Sequence, residues 1–150
     1  MALTDAATFG DPAPVLEDGE RHTVFALSAG GEAVREARHL VLEHLETWGT
    51  APEERDTAAL VISELFTNAV VHTASDVITC SLGASRDWLL ITVADDGSGQ
   101  STPRPQSVGL HDEGGRGLMI VKAVAKRWGV SRTGNGDGRV VWALLHSTQV

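Results

Sequence analysis

Residues 77–99 read VITCSLGASRDWLLITVADDGSG. Val77, Ile78, Cys80 and Leu82 supply an apolar strand pattern, and residues 83–87 supply the Gly, Ser and Asp of a turn. Residues 88–94 then give a second apolar run, which stops at Asp95, Asp96, Gly97, Ser98 and Gly99. Two strands joined by a short polar turn form a hairpin, and hairpins belong to antiparallel or mixed sheets. A second such unit lies near the C-terminus. Residues 130–133 and 139–145 are apolar or strand-forming, and Gly134, Asn135, Gly136, Asp137 and Gly138 lie between them with the tolerance of positive φ that a tight turn needs.

Helical patterns fill the remainder. After Gly30 and Gly31, Val34, Ala37, Arg38, Val41, Leu42 and Leu45 recur at spacings of three and four, predicting a helix over 32–48 that Gly49 stops. Pro52 with Glu53, Glu54 and Asp56 reads as the acidic first turn of a second helix. It runs to about His72 and turns Ala59, Ile62, Leu65, Phe66, Ala69 and Val70 to the core. Past Gly114 and Gly115, the residues Leu118, Val121, Val124, Ala125 and Trp128 predict a third helix ending at Gly129. Residues 22–27 suit an opening strand, and residues 100–113 make a long loop. The order is strand, helix, helix, strand, strand, loop, helix, strand, strand. Hairpin connections of this kind predict an α+β two-layer sandwich, with a mixed, mostly antiparallel sheet covered on one face by helices.

The bulk numbers agree with one domain: 150 residues and 42% hydrophobic content suffice for a single core. Residues 1–21 lack sustained periodicity and read as a flexible tail. The domain then occupies 22–146, and 147–150 form a C-terminal tail. A net charge of -8 argues against direct nucleic-acid binding, which needs clustered cations. The sequence lacks a leader pattern and an apolar window long enough to cross a bilayer, so a cytoplasmic protein with no membrane contact is expected. Lone Cys80, set in an apolar run, reads as a buried thiol that fits a reducing compartment.

Three elements could carry chemistry. Glu64 and Asn68 are four apart on the second helix and share a face, so a carboxylate able to take a proton stands one turn from an amide oxygen suited to a hard cation. An exposed polar pair is the plainer use of that spacing. Asp95 ends an apolar strand, where its carboxylate can accept from an exocyclic amine while Gly97 and Gly99 admit a flat ligand; an acidic turn is the alternative. Gly114, Gly115, Arg116, Gly117 and Leu118 open a helix whose first N–H groups attract phosphate oxygens. The glycines come too late for a dinucleotide-binding fingerprint and lack the Lys-Ser/Thr ending of a P-loop. His39 and His44 are five apart and share no helix face, so the six histidines give no metal-ligand set, and no nucleophile elbow is present. Trp48, Trp88, Trp128 and Trp142 are assigned to packing.

Taken in order, the three elements resemble the GHKL ATPase superfamily, which includes gyrase and the histidine kinases. They look most like the anti-sigma-factor serine kinases and their actinobacterial relatives. The resemblance covers roughly residues 22–146, through a Glu-x-x-x-Asn motif, an Asp-x-Gly-x-Gly motif and a Gly-x-Gly ahead of a helix. It implies the Bergerat ATP-binding fold, with ATP and Mg²⁺ as cofactors. It makes Glu64 the base acting on a serine hydroxyl or water, and Asn68 the magnesium ligand. Asp95 would read adenine, with Gly97 and Gly99 under the base. Gly115, Arg116, Gly117 and Leu118 would lie at the phosphates, with 100–113 as a lid. His72 and Thr73 match the family's continuation of the first motif, and a helix-end capping role fits them equally. The implied activity is protein serine/threonine phosphorylation of an anti-anti-sigma-type antagonist by a chain that also binds a sigma factor. A homodimer is compatible with it. Two departures, Glu113 where relatives carry an arginine and Val140 where they carry a threonine, leave open a module that holds ATP without transferring phosphate.

Overall fold

The computed structural model describes residues 7–9, 13–14, 16, 21–72, 75–95, 115–132 and 138–147. In chain order the elements are β1 (Ala7–Phe9), β2 (Arg21–Ser28), α1 (Gly31–Thr47), α2 (Pro52–His72), β3 (Val77–Ala84), β4 (Trp88–Asp95), α3 (Gly115–Val124), β5 (Arg127–Arg132) and β6 (Arg139–His146). The strands form one sheet in the order β1-β5-β6-β4-β3-β2. Every pairing is antiparallel except β1 with β5. The mixed, mostly antiparallel sheet read from the sequence is the sheet observed.

Alternation along the strands sorts the two faces. On β3 the residues Ile78, Cys80 and Leu82 point to the helices, and their partners on β4 are Asp95, Val93 and Ile91. On β6 the same face carries Arg139, Val141, Ala143 and Leu145, so the core lies between this face and α2. Trp142 belongs to the opposite face and is nevertheless fully buried, with the Arg127 guanidinium 5.6 Å from its ring centroid. Leu16 also lies on that second face, where a side chain added at Gly83 would meet it.

α1 buries Ala33, Ala37, Val41 and Leu45, a strict four-residue stripe. Arg38, read as part of the stripe, is exposed and instead donates from Nε to Ser63 Oγ on α2 at 3.0 Å. The helix closes as a Schellman turn: the Gly49 N–H donates to the Glu46 carbonyl and the Thr50 N–H to the Leu45 carbonyl, with Gly49 at φ 82°. That positive φ is why the stop signal is a glycine. α2 touches α1, α3 and strands of the sheet, so its buried face is wide and takes in Ala58, Val61, Ile62, Leu65 and Phe66.

Two local readings are corrected. The third helix does not continue to Gly129: it ends at Val124, and Trp128 and Gly129 belong to β5. The Lys126 N–H already donates to the Leu144 carbonyl at 2.8 Å, so pairing with β6 takes the chain out of the helix before Trp128 is reached. The N-terminal stretch is not tail throughout, since Ala7–Phe9 pairs in parallel with Trp128, Gly129 and Val130. Sheet hydrogen bonds order a segment too short to show a period of its own. The turn at 133–137 and the loop at 100–113 lie outside the described residues.

Candidate functional site

α2 presents Glu64, Asn68 and His72 at successive four-residue steps, which puts all three on one face of the helix. Glu64 and His72 are half-buried, and Asn68 is 6% exposed. The Asn68 amide nitrogen Nδ2 is buried and has no hydrogen-bond partner. A buried amide in that state costs about 1–3 kcal/mol, and a water, an ion or a ligand can satisfy it. Immediately before Glu64, Ser63 donates to the Ala59 carbonyl at 2.8 Å and accepts from Arg38, which ties this stretch of α2 to α1.

Asp95 closes β4 on the helix-facing side of the sheet and is 7% exposed. It pairs in register with Ile78 on one side and Arg139 on the other, and Arg139 in turn pairs with Arg132 on β5. The row across this end of the sheet is therefore apolar, acidic, basic, basic. Arg139 Nε stands 4.0 Å from Asp95 Oδ2, an ion pair beyond hydrogen-bond length. Burial pulls the Arg139 guanidinium below its ordinary pKa; Asp95 opposes that shift, and the like charge of Arg132 adds to it. The group stays a cation, because arginine holds its proton in proteins.

α3 begins at Gly115, so Gly115, Arg116 and Gly117 form its first turn, where backbone N–H groups have no acceptor within the helix. Leu118 is partly buried against the core. The helix packs against α2, and α2 packs against β4. The three elements read as chemical thus lie on α2 and on two elements that each pack against it: Glu64 and Asn68 on α2, Asp95 at the tip of β4, and the glycine turn opening α3. Gly97 and Gly99, Thr73, and Glu113 with the rest of the lid segment lie outside the described residues.

Sequence reasoning missed Arg139. It looked for a hydroxyl at Val140, but the pleat of β6 turns Val140 to the face away from Asp95 and places Arg139 beside it. No group of three or more His, Cys, Asp or Glu side chains able to hold a metal is present among the described residues.

The model of the histidine kinase-like ATPase domain matches residues 27–144. The chain belongs to that family. The matched span runs from the end of β2 almost to the end of β6 and includes every site residue above. Membership makes the chain a nucleotide-binding domain of ATPase type. Among solved structures it is similar to the RsbU and RsbW domains of Rv1364c from Mycobacterium tuberculosis, at 18% identity and a TM-score of 0.61. That match covers 87% of this chain and 33% of the other, so the chain spans about a third of its structural neighbour's length. At this identity the likeness supports the fold. A search of curated proteins finds no match. No helix among the described residues is long and apolar enough to cross a membrane.

Proposed function

We propose that this histidine kinase-like domain binds Mg-ATP between α2, the tip of β4 and the start of α3, and transfers the terminal phosphate to a serine of an antagonist protein. It would thereby control a sigma factor that it also binds. The observation that carries the reading is Asn68: a buried amide left without a partner, one helical turn from a half-buried carboxylate, on the helix that packs against the strand ending in Asp95.

Each side chain has a task suited to its chemistry. Asp95 accepts from the exocyclic amine of adenine. The first-turn N–H groups around Gly115, Arg116 and Gly117 receive phosphate oxygens, and Leu118 anchors that turn to the core. Asn68 suits a magnesium ion by chemistry: it is 6% exposed, and an amide oxygen is a hard neutral ligand. Bound magnesium supplies charge neutralisation at the phosphates. Glu64, half-exposed beside it, can accept the proton of an incoming serine hydroxyl.

Incubation with Mg-ATP labelled at the terminal phosphate and candidate antagonist proteins tests the reading. Label on a serine of one antagonist is expected, and no transfer to any candidate would remove the kinase claim. ATP binding without transfer would leave the alternative suggested by Glu113 ahead of the glycines: a nucleotide-dependent interaction module.

A further inference from the structure

The Asp95–Arg139 pair is not explained by packing. Arg139 Nε stops 4.0 Å from the buried Asp95 carboxylate, and the arginine side chain keeps 30% of its surface exposed. Arg139 Nη2 is meanwhile buried with no hydrogen-bond partner. A guanidinium is a planar fork that readily makes a bidentate bond to a carboxylate. Here the fork is set off from the acid, and one of its arms is desolvated and unused. An orphaned charged donor is costlier than an orphaned amide. Both groups belong to the row of side chains on the helix-covered face of the sheet, against which α2 packs.

The acceptor that satisfies this donor follows from the base proposed for Asp95. Adenine presents an amine flanked on each side by a ring nitrogen with a lone pair, N1 on one side and N7 on the other. A carboxylate beside a guanidinium is the complement of an amine beside a ring nitrogen. We infer that Arg139 is a base-reading residue that donates from Nη2 to the ring nitrogen next to the amine accepted by Asp95, setting the preference of the pocket for adenine. This inference rests on the nucleotide site proposed above. It extends that site to a position where the sequence offers neither a hydroxyl nor an amide.

Calorimetric titration of the full chain with ATP, 1-deaza-ATP and 7-deaza-ATP in the presence of magnesium tests it, because each analogue replaces one ring nitrogen with C–H. In the wild-type protein one of the two analogues should bind about tenfold or more weakly than ATP, the range expected when a charged donor loses its acceptor. In Arg139→Leu the ratio of that analogue to ATP should return to about one. Arg139→Gln, closer in size and still polar, serves if the leucine variant does not fold, and should show an intermediate ratio. The ratio is internal to each variant, so a general loss of affinity does not move it. Wild-type protein that binds ATP and both analogues alike, or a penalty that persists in the variants, overturns the role of Arg139 alone. Absence of heat with ATP itself overturns the nucleotide site and this inference with it.

Discussion

Asp95 and Arg139 face each other across β4 and β6, in register and 4.0 Å apart at Oδ2 and Nε, on the side of the sheet that α2 covers. Two opposite charges set into the rim of a core do little for stability unless they are closely paired and fully hydrogen-bonded. In the proposed site a nucleotide base would engage both. There the carboxylate would offer an acceptor and the guanidinium a donor at the border of an apolar floor.

Asp95→Asn should weaken ATP binding by about 1.5–3 kcal/mol, the value of a hydrogen bond to a charged group. Calorimetry with Mg-ATP checks this, and unchanged affinity would displace Asp95 from the base pocket. The variant also leaves the Arg139 cation without its neighbouring charge.

Glu64→Ala should leave ATP affinity near the wild-type value and reduce phosphoryl transfer about a hundredfold or more, as expected for loss of a general base. Single-turnover transfer and equilibrium binding measured on the same preparation separate the two effects. Equal losses in both would assign Glu64 to the fold.

For Asn68→Ala the expected outcome divides between stability and function. The substitution removes an amide whose unsatisfied nitrogen already costs the fold about 1–3 kcal/mol, so the ligand-free protein should be no less stable in urea than wild type by more than about 1 kcal/mol. The dependence of ATP affinity on magnesium should disappear. A large loss of stability with magnesium dependence intact would make Asn68 a packing residue.

Cys80 gives a pH-dependent prediction. Burial pushes its thiol from 9.0 up to about 12, so the folded chain keeps a proton that the unfolded chain releases. The stability conferred by the neutral thiol is complete below about pH 9 and is lost as pH rises towards 12, at no more than about 1.4 kcal/mol per pH unit. Urea denaturation at pH 8 and pH 10.5 should show a steeper loss for wild type than for Cys80→Ala. Parallel losses would mean that the thiol is accessible in the folded protein.

The parts of the fold carried by local pattern were legible in the sequence. The β3–β4 hairpin follows from two apolar runs around a polar turn, the end of α1 from Gly49, and the placement of Glu64 with Asn68 from a four-residue spacing. What depended on distant pairing was not. Trp128 stands at helical spacing from Val121 and Val124, but hydrogen bonding to β6 begins at Lys126 and makes it a strand residue buried against the core. Ala7–Phe9 is ordered by β5, more than a hundred residues away in sequence, and three residues have no readable period. Arg139 was missed for the same reason. Whether Arg139 or Val140 faces Asp95 depends on the register of β6 against β4, and a one-residue slip exchanges them.

The account depends on Asn68, Asp95 and the opening turn of α3 serving one nucleotide. Its most direct test is equilibrium unfolding of the full chain with and without Mg-ATP. Nucleotide at one hundred times its dissociation constant should stabilise the wild-type protein by about 2.7 kcal/mol, and the gain should shrink in Asp95→Asn. Superimposable unfolding curves at millimolar Mg-ATP would contradict the account.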